Sequence, residues 1–290
     1  MSPEVRLIFA DWSPPPLLTA GIVLTAGIYV RGWLAIRRTK PALFTKIRLL
    51  SFVLGLLTIW FSVASPLDGF ADVMLSAHMV EHLLLMSVAP PLLLMGYPSV
   101  PLLRGLPGWF VRYALAFPLR SQFFRTIGHF LVNPAVAWLL MNLLFLGWHI
   151  PAAYDFALEH EYWHEFEHAC FLGSSILFWW PIIRPWPTNV HALGWYLLLY
   201  LAGADIVNTA LSAFLAFCDR PVYSFYLTQP NPFHLMPLSD QALGSVIMWV
   251  FGSSVFLIPV VLITAKLLRQ APALGRPVQI APNPGRVSRA

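Results

Sequence analysis

Four histidines in two matched pairs carry the clearest chemistry in this sequence. His78 and His82 lie in DVMLSAHMVEHLLLMSVAPP, and His164 and His168 in YWHEFEHACFL. Residues four apart share one face of a helix, about one turn from each other. Two such pairs on neighbouring parallel helices can converge on one ion, and imidazole suits copper, zinc, iron and nickel. Methionine narrows the choice. Met74 precedes His78 by one turn, Met86 follows His82 by one turn, and Met79 is adjacent to His78. Thioether is a soft ligand that favours Cu(I), although methionine also fills gaps in apolar cores. His149 closes a later apolar run and His160 follows it. Met236, near His234, is placed to receive or pass on an ion.

Acids accompany the histidines. Glu81 and Asp205 fall inside apolar runs, where a charge is expensive and usually functional. Glu167 stands beside His168, and Asp72 just before the first pair. A ligating histidine usually donates its other N–H to a carboxylate or carbonyl. Glu81, Asp205, Glu167 and Asp72 are therefore candidates to orient a ligand or to carry protons. A neutral acid hydrogen-bonded inside a bundle is the plainer reading of each, as a hydrogen-bonded core histidine is of each imidazole.

Both pairs also fit H-x-x-E-H, as HMVEH and HEFEH. That string is an inverted zinc-protease pattern, but it is short and lies here in apolar surroundings. Haem ligation by facing histidines is an alternative. Serine-nucleophile motifs, phosphate loops and dinucleotide fingerprints are absent, and no catalytic residue is expected.

The elements that must hold these groups are membrane helices. Hydrophobic residues make up 58% of the 290 and charged residues 11%, against roughly 25% charged in a soluble domain. Seven apolar runs appear, at about 15–36, 47–65, 73–95, 129–149, 163–183, 192–217 and 241–266. Each is long enough, at 1.5 Å per residue, to cross a hydrocarbon core of ~30 Å. The expected fold is all-α: a polytopic bundle of seven transmembrane helices in one domain over residues 1–270. Residues 1–16 lack the features of a cleavable signal. The Pro- and Arg-rich tail, 271–290, is expected to be disordered.

Charge sets the expected orientation. With the N-terminus outside and the C-terminus cytoplasmic, every Lys and Arg but Arg6 and Arg220 falls in a cytoplasmic segment, as the positive-inside rule requires. The formal charge of +5 therefore reflects topology, and no nucleic-acid partner is implied. In this orientation both histidine pairs lie in the outer half of the membrane. The segment WFVRYALAFPL, within the long connection 96–128, is too short to span and reads as an interfacial amphipathic piece. Residues 219–239 form an external loop that could act as a lid. Cys170 and Cys218 make no CxxC, which argues against a disulfide framework or thiolate cluster.

The run SPLDGFADVMLSAHMVEHLLLMSVAPPLLLMGYP resembles the motif of the multi-helix CtaG-type proteins linked to cytochrome c oxidase assembly. NPAVAW, GWHIPAAYDFAL, HEFEHACFLGSSILFWWPI and DQALGSVIMW follow in order, so the resemblance covers roughly residues 55–265. It implies a bacterial inner-membrane protein that helps to deliver copper to a haem–copper oxidase subunit, with a periplasmic copper chaperone as a further partner. The family's histidine motifs fall on His78, His82, His164 and His168, and its WH-P element on His149. A copper transporter and a haem-binding electron-transfer protein are the alternatives. The inner halves of the two histidine helices, LLLMSVAPPLLLM and FLGSSILFWWPII, offer few ligands, which favours a one-sided site.

Overall fold

In the computed structural model, which describes residues 3–187 and 194–270, the described chain is helical throughout, without a strand. A short helix α1 (Pro3–Asp11) precedes α2 (Pro16–Arg37) and α3 (Lys46–Ala64). The turn α4 (Pro66–Ala71) leads into α5 (Leu75–Met95). After α5 come the short α6 (Ser99–Gly105), helical turns between 108 and 120, and α7 (Gln122–Leu131). Then follow α8 (Pro134–Trp148), α9 (Pro151–Glu159), α10 (Glu161–Ile183), α11 (Gly194–Phe217) and α12 (Pro237–Gln270). The tail 271–290, expected to be disordered, lies outside the described residues.

Six of these helices are long and apolar enough to cross a membrane: α2, α3, α5, α10, α11 and α12. The fourth expected run, 129–149, is broken. α7 and α8 meet at 68°. Pro134 has no N–H to continue a helix, and the Asn133 side chain accepts the Ala135 N–H at 3.0 Å, which starts α8 afresh. α7 buries no residue and exposes Phe123, Phe124, Ile127 and Phe130. Counted as one span, the bent pair makes a seventh candidate crossing. Two further differences concern connections: α4 and α9 give the expected loops helical form.

α5 is the most buried of the spans. It packs against α3, α10 and α12, so it holds the centre of the bundle. Inside it a π-turn spans Leu84–Val88, just before Pro90 and Pro91. A proline leaves backbone carbonyls of the preceding turn without donors. Trp179 of α10 answers one of them, donating its indole N–H to the Met86 carbonyl at 3.1 Å.

Three apolar clusters fill the bundle. Leu75, Met79, Leu83, Phe145, Phe171 and Met248 pack near the start of α5, together with Tyr154, Tyr223 and Tyr226. Leu94, Met141, Phe178, Trp179, Tyr200 and Phe256 pack near its far end. Tyr29, Trp33, Phe44, Phe52 and Leu93 join α2 and α3 to it. α2 and α6 approach backbone to backbone. A Cβ on Gly32 would lie 1.8 Å from the Pro101 carbonyl oxygen, and one on Gly105 would lie 1.8 Å from that of Ile28, so only glycine fits at either position.

Candidate metal centre

The start of α5 is held by a residue from the other end of the sequence. Asp240 of α12 is buried, and its carboxylate accepts the backbone N–H groups of Leu75 at 2.7 Å and Ser76 at 3.4 Å. It also accepts the Ser76 hydroxyl at 2.5 Å. The first N–H groups of a helix have no partner within it, and Asp240 supplies one across the bundle. This fixes the turn that carries His78.

His78 and His82 project from α5 towards His164 and His168 of α10. The ring centroids lie 5.1 Å apart for His78 and His164, and 5.4 Å for His82 and His168. His149, just past the end of α8, closes the group at 6.4 Å from His82. All five expected imidazoles therefore come together. The Nε2 atoms of His78 and His82 are 2.7 Å apart. Ligand atoms of His78, His82 and His168 all lie within 4.8 Å of one another, as do those of His78, His164 and Glu167.

The acids are arranged reciprocally. Glu81 of α5 faces His168 of α10, with Oε1 3.7 Å from Nε2. Glu167 of α10 faces His82 of α5 at 3.8 Å. Each helix thus offers its carboxylate to the other helix's second histidine. Glu81 is adjacent to His82 in sequence, yet the imidazole it meets is His168.

Tautomers follow from the hydrogen bonds. His149 Nδ1 lies 2.7 Å from the Phe145 carbonyl. A carbonyl only accepts, so Nδ1 carries the proton and Nε2 keeps a lone pair. At His78, Nδ1 lies 3.0 Å from the Tyr226 hydroxyl, which donates to the Ala71 carbonyl at 2.9 Å. Burial pushes the Tyr226 hydroxyl pKa upward, so it keeps its proton. With that proton spent on Ala71, the hydroxyl accepts from His78 Nδ1–H, and His78 Nε2 is left as a lone pair that accepts from His82 Nε2–H at 2.7 Å. Ligating histidines are commonly oriented in this way through their second nitrogen.

Buried polar atoms without a hydrogen-bond partner concentrate here. They include both oxygens of Glu81 and of Glu167, Nε2 of His149, His164 and His168, and Nδ1 of His82. Native proteins leave few such atoms, and each calls for a reason. A cation gives one reason for all of them: it takes up the lone pairs and offsets the cost of burying two carboxylates. An ion about 2 Å from each nitrogen keeps its ligand atoms within about 4 Å of each other. Shifts of under about an ångström would close the His78–His82–His168 set on an ion.

The other expected residues lie elsewhere. Met79 packs in the apolar cluster with Leu75 and Leu83, and Met74 is buried at the start of α5. Met86 lines a cavity of about 30 Å³ beneath the histidines, with Met141, Asn142, Ser175 and Asn208. Asp205 accepts the Ser253 hydroxyl at 2.7 Å, between α11 and α12. Asp72 lies with Asp68 in a crevice of about 350 Å³ bounded by Trp12 and Ser65. There, burial raises the Asp72 carboxyl pKa, and burial with the Asp72 charge lifts that of Asp68 to about 7.

The loop 219–239 covers the site. Asp155 of α9 accepts the backbone N–H groups of Ser224 and Phe225 at 3.1 and 3.3 Å, and the Ser224 hydroxyl. Gln241 accepts the Val222 N–H at 2.7 Å. Tyr223 stacks on Tyr154 at 4.0 Å. Tyr226 separates His78 from a pocket of about 330 Å³ lined by His234, Met236 and Asp240. Tyr226, Tyr154 and Asp240 were not expected as site residues. Their one sequence signal is an aromatic-rich loop next to an acid that opens a helix.

The model of the cytochrome c oxidase caa3 assembly factor family, Caa3_CtaG, matches residues 27–270. The chain belongs to this family. Uncharacterized protein Mb0105 of Mycobacterium bovis is 27% identical over 279 residues, covering 92% of this chain and 40% of the relative. Uncharacterized protein ML1998 of Mycobacterium leprae is 25% identical with the same coverage. The chain therefore spans about 40% of the length of the curated relatives it matches. No solved structure matches it. The paired HxxEH motifs that build the buried histidine cluster lie within the matched residues.

Proposed function

We propose that this member of the caa3 assembly factor family binds copper at the five-histidine cluster and delivers it to a haem–copper oxidase subunit in a bacterial inner membrane. The observation that carries the reading is the convergence of imidazole nitrogens. His78 and His149 are held as Nδ1–H tautomers with Nε2 directed to bind, and His82, His164 and His168 surround them. Imidazole-rich sites suit copper. Two buried carboxylates beside them stabilise a cation that the low-dielectric interior would otherwise reject.

The N-terminus faces outside and the C-terminus the cytoplasm. Arg31, Arg37, Lys40, Lys46, Arg48, Arg104, Arg112 and Arg125 gather at the end of the bundle opposite the histidines, as the positive-inside rule requires. The histidines then open to the periplasm. Copper arrives through the pocket of His234 and Met236, where a periplasmic chaperone can dock. Histidine must be neutral to bind, so copper uptake competes with protons. No covalent chemistry is needed, and the protein is not an enzyme.

Delivery fits better than transport across the membrane. Below the histidines lies a cavity of about 30 Å³, and beneath it pack the aromatic rings of Phe178, Trp179, Tyr200 and Phe256. Haem fits poorly, since the imidazole rings contact one another at 4.1 to 6.4 Å and leave no slot between them for a macrocycle.

Elemental analysis tests the reading. The purified protein, loaded with Cu(I) under reducing conditions, is compared with the variant carrying His78→Ala, His82→Ala, His164→Ala and His168→Ala. Near-stoichiometric copper, lost in the variant, is expected. An equal copper content in the two proteins would refute the site, and a Soret band would replace copper with haem.

A further inference from the structure

A second built feature lies at the opposite end of the bundle and has no part in metal binding. Four arginines line a crevice of about 660 Å³: Arg31 from α2, Arg104 from α6, and Arg112 and Arg120 from the turns that follow. Leu103 and Leu106 form part of its apolar floor. All four arginines are exposed. The sequence holds no carboxylate between Glu81 and Asp155, and none between Asp11 and Asp68. Among the described residues, no Asp or Glu lines the crevice. The crevice thus concentrates like charge with no carboxylate of the described residues lining it.

Its geometry is held rigidly. Arg31 adjoins Gly32 and Arg104 adjoins Gly105, the two glycines at which α2 and α6 touch backbone to backbone. The contact that demands glycine therefore sets two of the arginines on the same crevice. Beside them, Trp109, Tyr113, Phe117, Phe123 and Phe124 are exposed along the turns and α7. Exposed aromatics of this kind settle at the membrane interface. The arginines consequently lie at headgroup depth, with apolar surface leading from them towards the hydrocarbon.

We propose that this crevice binds the phosphodiester headgroup of an anionic phospholipid, with its acyl chains laid along the exposed apolar face. Guanidinium matches phosphate oxygens in a bidentate fork. Basic pockets between membrane helices on the cytoplasmic side recognise anionic headgroups by this chemistry. The bound lipid supplies the missing counter-charge and ties the α2–α6 corner to the bundle. Free phosphate shares the chemistry but would make no use of the apolar face.

The test uses the full-length protein in mixed micelles containing equal phosphatidylglycerol and phosphatidylcholine, with bound lipid counted by native mass spectrometry. The wild type is expected to retain phosphatidylglycerol over phosphatidylcholine by about 10-fold or more, given a favourable contribution from each arginine near an anionic headgroup. The variant R31Q/R104Q/R112Q/R120Q loses the preference while keeping its copper content. The matching four-lysine variant, which keeps the charge, retains it. No preference in the wild type, or an undiminished one in the glutamine variant, overturns the proposal. Displacement of the lipid by millimolar inorganic phosphate overturns the lipid assignment and leaves a soluble-anion site.

Discussion

Changing Tyr226 to Phe removes one oxygen and tests how the centre is prepared for its ion. Two of that hydroxyl's contacts matter here: it donates to the Ala71 carbonyl at 2.9 Å and accepts from His78 Nδ1 at 3.0 Å. Both partners are buried. Without it, Ala71 O and His78 Nδ1 are stranded, each at about 1–3 kcal/mol. The His78 proton is then free to move to Nε2, which closes the lone pair aimed at the ion. Loss of such an orienting partner typically weakens metal affinity 10- to 100-fold, or about 1.4–2.8 kcal/mol at 1.4 kcal/mol per decade. The assay is competition for Cu(I) against a chromophoric chelator, in detergent under reducing conditions. Tyr223→Phe is the control. Its hydroxyl reaches only the His149 backbone carbonyl at 3.3 Å, and Phe keeps the stacking on Tyr154. Affinity should fall by at least 10-fold in Tyr226→Phe and by less than about 3-fold in Tyr223→Phe. Wild-type affinity in Tyr226→Phe, or equal losses in both, would show that the hydroxyl does not set the tautomer.

Asp240→Ala should unfix the start of α5, because three hydrogen bonds to Leu75 and Ser76 are lost in a buried setting. A cost on the order of 3 kcal/mol is expected, read as a fall of roughly 5–10 °C in the thermal midpoint; an unchanged midpoint contradicts the capping role. Asp68 makes stability depend on pH. Its carboxyl titrates at about 7 in the fold against a usual 3.8, through burial first and the Asp72 charge second. The folded state holds a proton that the unfolded chain has already released, so stability falls as pH rises from about 4 to about 7. Asp68→Asn should flatten that part of the profile, measured as thermal midpoint against pH, and an unaltered slope argues against it.

The bundle was legible because its signal is local. Apolar runs of spanning length and the clustering of Lys and Arg need no tertiary knowledge, and six of the expected runs appear as continuous helices. The seventh differs where local chemistry overrides hydropathy: Asn133 and Pro134 restart the helix inside an unbroken apolar run. The histidines were legible for the same reason, since i,i+4 spacing fixes a shared face. What spacing cannot give is which acid meets which imidazole. Glu81 reads as a neighbour of His82, yet it points around α5 to His168. Tyr226 and Asp240 were missed because their partners lie 148 and 165 residues away in sequence. The methionines show the opposite effect. Met79 and Met86 have the right spacing from the histidines, but one is committed to apolar packing and the other to the cavity below.

The repeated H-x-x-E-H string acquires a physical meaning only when both copies are seen together. On one helix, the glutamate lies three residues after the first histidine and one before the second, so it is turned away from its own helix's second imidazole. A second helix running parallel, with the same string at the same depth, places its own second histidine there. The two copies complete each other: Glu81 serves His168, and Glu167 serves His82. Each glutamate also stands three residues from its own helix's first histidine, and Glu167 comes within 4.8 Å of His164 as well as of His78. The pairing therefore fixes the relative depth of α5 and α10, since sliding one helix by a turn, 5.4 Å, would break both contacts at once. Register and ligand geometry thus rest on the same four residues. On the proposed reading, an ion arriving at the cluster meets a frame already set by the helices that carry it.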